Sequence, residues 1–156
     1  MVVQATAEPA DPLPQTFEAP TRTESAVDAK GLYRSDLLFH GPRWQVLRQW
    51  VPSTSEPWAE CDGRGPFPLE SALDGAHQLL AVWCHAEHGW LGLPTGAGRI
   101  QSAQHVDPGA LKLCVRHIRV QPDRVVADVW AVDGSGRVVM KAQDIRLQRA
   151  TEVTHG

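Results

Sequence analysis

The segment PLESALDGAHQLLAVWCHAE, residues 68 to 87, constrains the fold more than any other part of the chain. Leu69, Ala72, Leu73, Ala76, Leu79, Leu80 and Trp83 recur at three- and four-residue spacing, which on an α-helix makes one broad apolar stripe. Such a stripe has to be buried against another element. Gly89 stands where a C-terminal cap is expected. Gly75, inside the helix, costs about 1 kcal/mol relative to Ala, so it points to a close approach by a neighbour or to an irregular helix start.

The elements available to cover that stripe are strands. Leu111, Leu113 and Val115 alternate with Lys112, Cys114 and Arg116 on a strand running to about Val120. Gln121-Pro122-Asp123-Arg124 signals a turn, and RVVADVWAV follows as a second strand. Asp133-Gly134-Ser135-Gly136 is a hairpin signal leading into a third strand, RVVMKAQDIRLQR. Upstream, His40-Gly41-Pro42 breaks the chain before a strand from about Trp44 to Trp50. Residues 52 to 67 are rich in Pro, Gly and Ser and read as a loop with a short strand near Trp58. A long helix with a multi-strand antiparallel sheet is an α+β layout. A sheet wrapped about one central helix is the hotdog arrangement.

Residues 1 to about 28 have a different texture. Pro9, Pro12, Pro14 and Pro20 punctuate a polar, small-residue stretch, which reads as a flexible leader or linker. The folded domain is expected over 29–150, with 151–156 as a tail. A chain of 156 residues fits one domain. The net charge of -3, with Lys and Arg dispersed, excludes an obvious nucleic-acid or membrane-surface binder. No apolar run approaches the roughly 20 residues of a membrane span, and no secretory signal is visible. The three cysteines, Cys61, Cys84 and Cys114, have no CxxC spacing, so neither a disulfide framework nor a thiolate zinc site is expected. Cys84, His85 and His88 form no organised metal-ligand set. The expected setting is cytoplasmic.

Two motifs carry a family resemblance. LLFHGPRWQVL, Leu37 to Leu47, resembles the FHGPRFQ-type segment that opens the second hotdog of dehydratase domains in polyunsaturated-fatty-acid and enediyne-type polyketide synthases. Trp44 stands where that family usually has Phe. PLESALDGAHQLL, Pro68 to Leu80, is similar to the family's LHPALLDAALQ segment, with Asp74 and Gln78 on its DxxxQ positions and Leu69-Glu70 replacing His-Pro. The likeness spans about residues 31 to 149. It implies the C-terminal, aspartate-bearing half of a dehydratase acting on acyl chains carried by an acyl carrier protein. No metal or redox cofactor is implied beyond the phosphopantetheine of that carrier. Tyr33, Phe39, His40, Gly41, Pro42 and Trp44 are the expected acyl-binding or tunnel-wall residues.

The spacing fits the implied chemistry. Asp74 and Gln78 are four residues apart and project from one helix face. Dehydration of a β-hydroxyacyl thioester needs a base for the α-proton and an acid for the departing hydroxyl. A carboxyl group against apolar surroundings has its neutral form favoured, whereas the nearby helix N-terminus favours ionisation. Asp74 is the expected acid and Gln78 its orienting partner. His77, about 100° from Gln78 on the helical wheel, is expected to be structural.

In the family the base is a histidine on the other hotdog, in an HxxxGxxxxP motif ahead of a long helix. Here His85 to Pro94 fits that pattern only at the end of the helix, so the motif is read as helix terminus and loop. The chain has room for one hotdog. A second hotdog, as a homodimer or as a histidine-bearing partner, is therefore expected. The other readings are a non-catalytic module for dimerisation or acyl binding and a thioesterase-like hotdog.

Overall fold

The computed structural model describes residues 13, 27–34, 38, 44–51, 55–63, 68–106 and 109–150. Among these residues, eight strands and two helices run in the order β1 (Val27–Asp28), α1 (Lys30–Arg34), β2 (Leu47–Val51), β3 (Trp58–Asp62), α2 (Pro68–His88), β4 (Gly92–Gly96), β5 (Arg99–Ser102), β6 (Ala110–Val120), β7 (Arg124–Val132) and β8 (Val138–Arg149). They form one sheet in the order β1-β2-β3-β6-β7-β8-β4, with β5 also on β8. Every pairing is antiparallel.

β6 and β7 turn alternate residues toward α2, as a period of two dictates, while register irregularities break the alternation on β8. Leu111, Leu113 and Val115 on β6, Val125, Ala127, Val129 and Ala131 on β7, and Val139, Ala142, Ile145 and Leu147 on β8 share one core with the helix. The small residues of β7 leave room for the helix, which touches β2, β3, β4, β6, β7 and β8. From Ala72 to Cys84 every residue of α2 is buried except Asp74. The helix is thus enclosed on nearly all sides, not along a single stripe, because the sheet curls around it. This is the α+β hotdog expected from the sequence.

Gly75 explains its own presence. A Cβ there would lie 3.0 Å from Leu113 Cδ1, 3.2 Å from Val46 Cγ2 and 3.3 Å from Cys61 Sγ. The glycine sets how closely α2 settles on β3 and β6. At the other end, Gly89 takes the left-handed conformation (φ 76°) and its N–H donates to the His85 carbonyl at 2.9 Å, the expected C-terminal cap.

Among the described residues, sheet pairing begins at Val27, inside the segment read from sequence as leader. Leu13 packs on the outer side of the sheet against Trp130, Val132 and Val138. β4 and β5 follow one another along the β8 edge, Gly92 to Gly96 opposite Arg149 to Arg146 and Arg99 to Ser102 opposite Gln143 to Met140. Neither was expected as a strand.

Candidate active site

Asp74 lies in the second turn of α2, the only residue between Ala72 and Cys84 that is not buried. One turn later, Gln78 is 2% exposed. Its Nε2 donates to Asp74 Oδ2 at 2.6 Å and to the Trp44 carbonyl at 2.8 Å. The pair therefore meets as the four-residue spacing predicts.

The third member comes from far away in the sequence. The Tyr33 hydroxyl, on α1, donates to Gln78 Oε1 at 2.5 Å and accepts the Leu47 backbone N–H at 2.9 Å. Burial pushes the Tyr33 phenol well above its ordinary range, while the Leu47 N–H acts in the opposite direction. The phenol stays a donor.

Cys61 lies under the same region and donates to the Ser71 carbonyl at 3.6 Å. Burial, with the nearby Asp62 and Asp74 carboxylates, pushes its thiol up to about 12. Since the thiolate is the nucleophile, this shift disfavours nucleophilic chemistry at Cys61. Burial likewise raises Cys114 to about 11.

The expected acyl-wall residues separate into three groups. Tyr33 turns its hydroxyl to Gln78, so it supports the carboxyl pair. Trp44 contributes its carbonyl to the same cluster and leaves its side chain 38% exposed. Phe39, His40, Gly41 and Pro42 lie outside the described residues. A cleft of about 340 Å³ has Tyr33, Gln45, Leu47 and Arg48 among its walls, together with Asp28 and Lys30, but neither Asp74 nor Gln78. Its mixed charges suit a polar occupant better than an aliphatic chain.

His77 is buried, with Nδ1 3.0 Å from the Leu73 carbonyl and Nε2 3.1 Å from the Gly96 carbonyl, so it ties α2 to β4. This is the structural role expected of it. His85 and His88 are exposed in the last turn of α2. His85 is eleven residues beyond Asp74, about 16 Å along a helix rising 1.5 Å per residue. The His85-to-Pro94 pattern spans the helix end, as read from the sequence, and then enters β4, where a loop was expected. No cluster of three or more metal-ligating side chains exists among the described residues, and no described helix is long and apolar enough to cross a membrane.

Sequence reasoning missed the roles of Tyr33 and the Leu47 N–H. One signal was available: Tyr33 is the sole tyrosine of the chain, and a buried phenol requires a hydrogen-bond partner.

The family model described as the polyketide synthase dehydratase N-terminal domain matches residues 11–155. The chain belongs to this family. The description names the N-terminal domain, so it lends no support to the C-terminal assignment made from the sequence. No curated protein sequence matches the chain. Among solved structures, GphF dehydratase 1 superimposes with a TM-score of 0.69 at 20% identity, covering 85% of this chain and 53% of its own. The bifunctional dehydratase-cyclase domain of ambruticin biosynthesis gives 0.68 at 20% identity, covering 91% and 55%. The dehydratase domain of RzxB from Pseudomonas fluorescens gives 0.63 at 19% identity, covering 80% and 49%. At these identities the likeness establishes the hotdog fold. This dehydratase-family chain spans about half the length of those structures.

Proposed function

We propose that the chain is the aspartate-bearing half of a β-hydroxyacyl-(acyl carrier protein) dehydratase of polyketide or fatty-acid-type biosynthesis, with Asp74 as general acid. The observation that carries this reading is the placement of Asp74. It is the one solvent-reachable position in an otherwise buried stretch of helix, held by a glutamine whose own orientation is fixed. Assignment to the aspartate-bearing half is supported by DxxxQ on the central helix and by the absence of any histidine from residues 51 to 67, ahead of that helix.

In the proposed reaction a histidine of a second hotdog removes the α-proton of the thioester. The electron pair forms the Cα–Cβ double bond as the Cβ–O bond breaks, and Asp74 gives its proton to the departing hydroxyl. The products are an α,β-enoyl thioester and water. The histidine then releases its proton and Asp74 regains one from solvent, so no external oxidant or metal enters the balance. Positioned proton transfer of this kind contributes about 10²- to 10⁴-fold. The acyl group, on the phosphopantetheine of its carrier, would run past the exposed Trp44. Among the described residues β4 ends the sheet, with Leu93 51% exposed, an edge suited to pairing with the second hotdog.

One observation favours a second reading, a non-catalytic module for dimerisation or acyl binding. His77, the histidine nearest Asp74 in sequence, is engaged by two carbonyls. Mixing the chain with histidine-bearing hotdog proteins and a β-hydroxyacyl carrier separates the possibilities. An enoyl product supports the dehydratase. Carrier binding without turnover supports the module, and a free acid indicates a thioesterase.

A further inference from the structure

The amide of Gln78 has an orientation that the surrounding groups force. The Trp44 carbonyl can only accept, so the amide nitrogen faces it, and the same nitrogen then faces Asp74 Oδ2. That leaves Oε1 toward Tyr33, which must donate. The Leu47 N–H donates to the Tyr33 oxygen and thereby directs the phenolic hydrogen to Gln78. Every donor points one way, from Leu47 through Tyr33 to Gln78 and from Gln78 on to Asp74.

We propose that Tyr33 is a positioning residue for Asp74, acting through Gln78, so that Oδ2 is permanently an acceptor and the transferable proton belongs on Oδ1. This rests on the dehydratase reading above. Tyr33 does not touch the reacting atoms in this account. Because burial holds the phenol in its protonated form, the donor survives across the working pH range. Its separation of 45 residues from Gln78 makes the orientation depend on α1 docking against α2. A carboxyl group with a defined protonated oxygen meets the geometric demand of proton transfer, for which small misplacements are costly.

The test is a double-mutant cycle in the chain assembled with a histidine-bearing hotdog, using Tyr33→Phe, Gln78→Leu and the double variant, with Asp74→Asn as reference. Tyr33→Phe is expected to lower kcat about tenfold with KM within about twofold, the signature of an interaction that matters only in the transition state. In the Gln78→Leu background, Tyr33→Phe is expected to have no further effect on kcat. Additive effects, or a rise in KM with kcat kept, overturn the positioning role even while Asp74→Asn remains inactive. An active Asp74→Asn variant overturns the dehydratase reading itself and this proposal with it. A second measurement needs no turnover. The side-chain amide protons of Gln78, both hydrogen-bonded in the native chain, are expected to exchange faster with solvent in Tyr33→Phe by NMR, and unchanged exchange contradicts the proposal.

Discussion

The two faces of the sheet each carry a polar network built around one aspartate, and the two differ in kind. On the helix side, Asp74 is reached by a chain of hydrogen bonds from the buried Gln78 and the partly buried Tyr33. On the outer side, Asp128 of β7 accepts from His117 Nδ1 at 2.9 Å, the Asp144 N–H at 3.0 Å and Arg119 Nη2 at 3.5 Å. His117, Arg119 and Asp144 are 65%, 51% and 51% exposed. Water competes for every one of those contacts, so each is worth little. The outer network serves the backbone. His117 and Asp144 are left-handed (φ 55° and 56°), at irregularities in the β6–β7 and β7–β8 registers that flank Asp128. The inner network instead fixes the direction of donors around a carboxyl group. An aspartate is therefore part of a bulge clamp on one face and a candidate acid on the other, and the identity and burial of its partners decide which.

The largest expected effect of breaking this contrast comes from Gln78→Leu. It deprives Tyr33, the Trp44 carbonyl and Asp74 of their common partner, at about 1–3 kcal/mol for each group that stays shielded from water. A loss of about 2–4 kcal/mol in urea unfolding is expected, together with dehydration that is slowed but still measurable.

Gly75→Ala comes next. Helix propensity alone gains about 1 kcal/mol, but the new methyl meets Leu113, Val46 and Cys61 at 3.0 to 3.3 Å. Overpacking of this sort costs about 1–3 kcal/mol, so a net loss of stability is expected. A more stable variant would mean that α2 has slack against β3 and β6. On the outer face, Asp128→Asn is expected to change stability by no more than about 1 kcal/mol, with dehydration unaffected. A larger change would erase the distinction between the networks.

The smallest effect at neutral pH concerns the thiols. Cys61 rises from 9.0 to about 12 and Cys114 to about 11, both first by burial. Where the native thiols keep protons that the unfolded chain releases, the unfolded state binds fewer protons and stability falls as pH rises. Chemical unfolding should therefore show no contribution from these thiols below pH 9 and a decline from about pH 9 toward 11 and 12. At neutral pH all three buried cysteines should resist a thiol reagent until denaturant is added.

The legible parts of the fold were those with long periodic patterns. The helix was expected over 68–87 and runs over Pro68–His88, while RVVADVWAV reads as a strand and forms β7 in full. β4 was illegible because GLPTG has no strand propensity. It becomes a strand through pairing with β8, and Gly92 is needed there because a Cβ would come within 2.9 Å of Leu147. The bulges at His117 and Asp144 have no local sequence signature either. In the site, Asp74 and Gln78 were visible because a helix turn brings them together. Tyr33 was not visible as their partner, since only tertiary folding spans the intervening residues.

Single-turnover conversion of a β-hydroxyacyl carrier by the assembled pair, comparing the native chain with Asp74→Asn, tests the central claim most directly. The native chain should yield the enoyl thioester. The variant, matched in fold by circular dichroism, should be slower by about 10²-fold or more. Equal rates would show that the proton reaching the departing hydroxyl comes from somewhere other than Asp74.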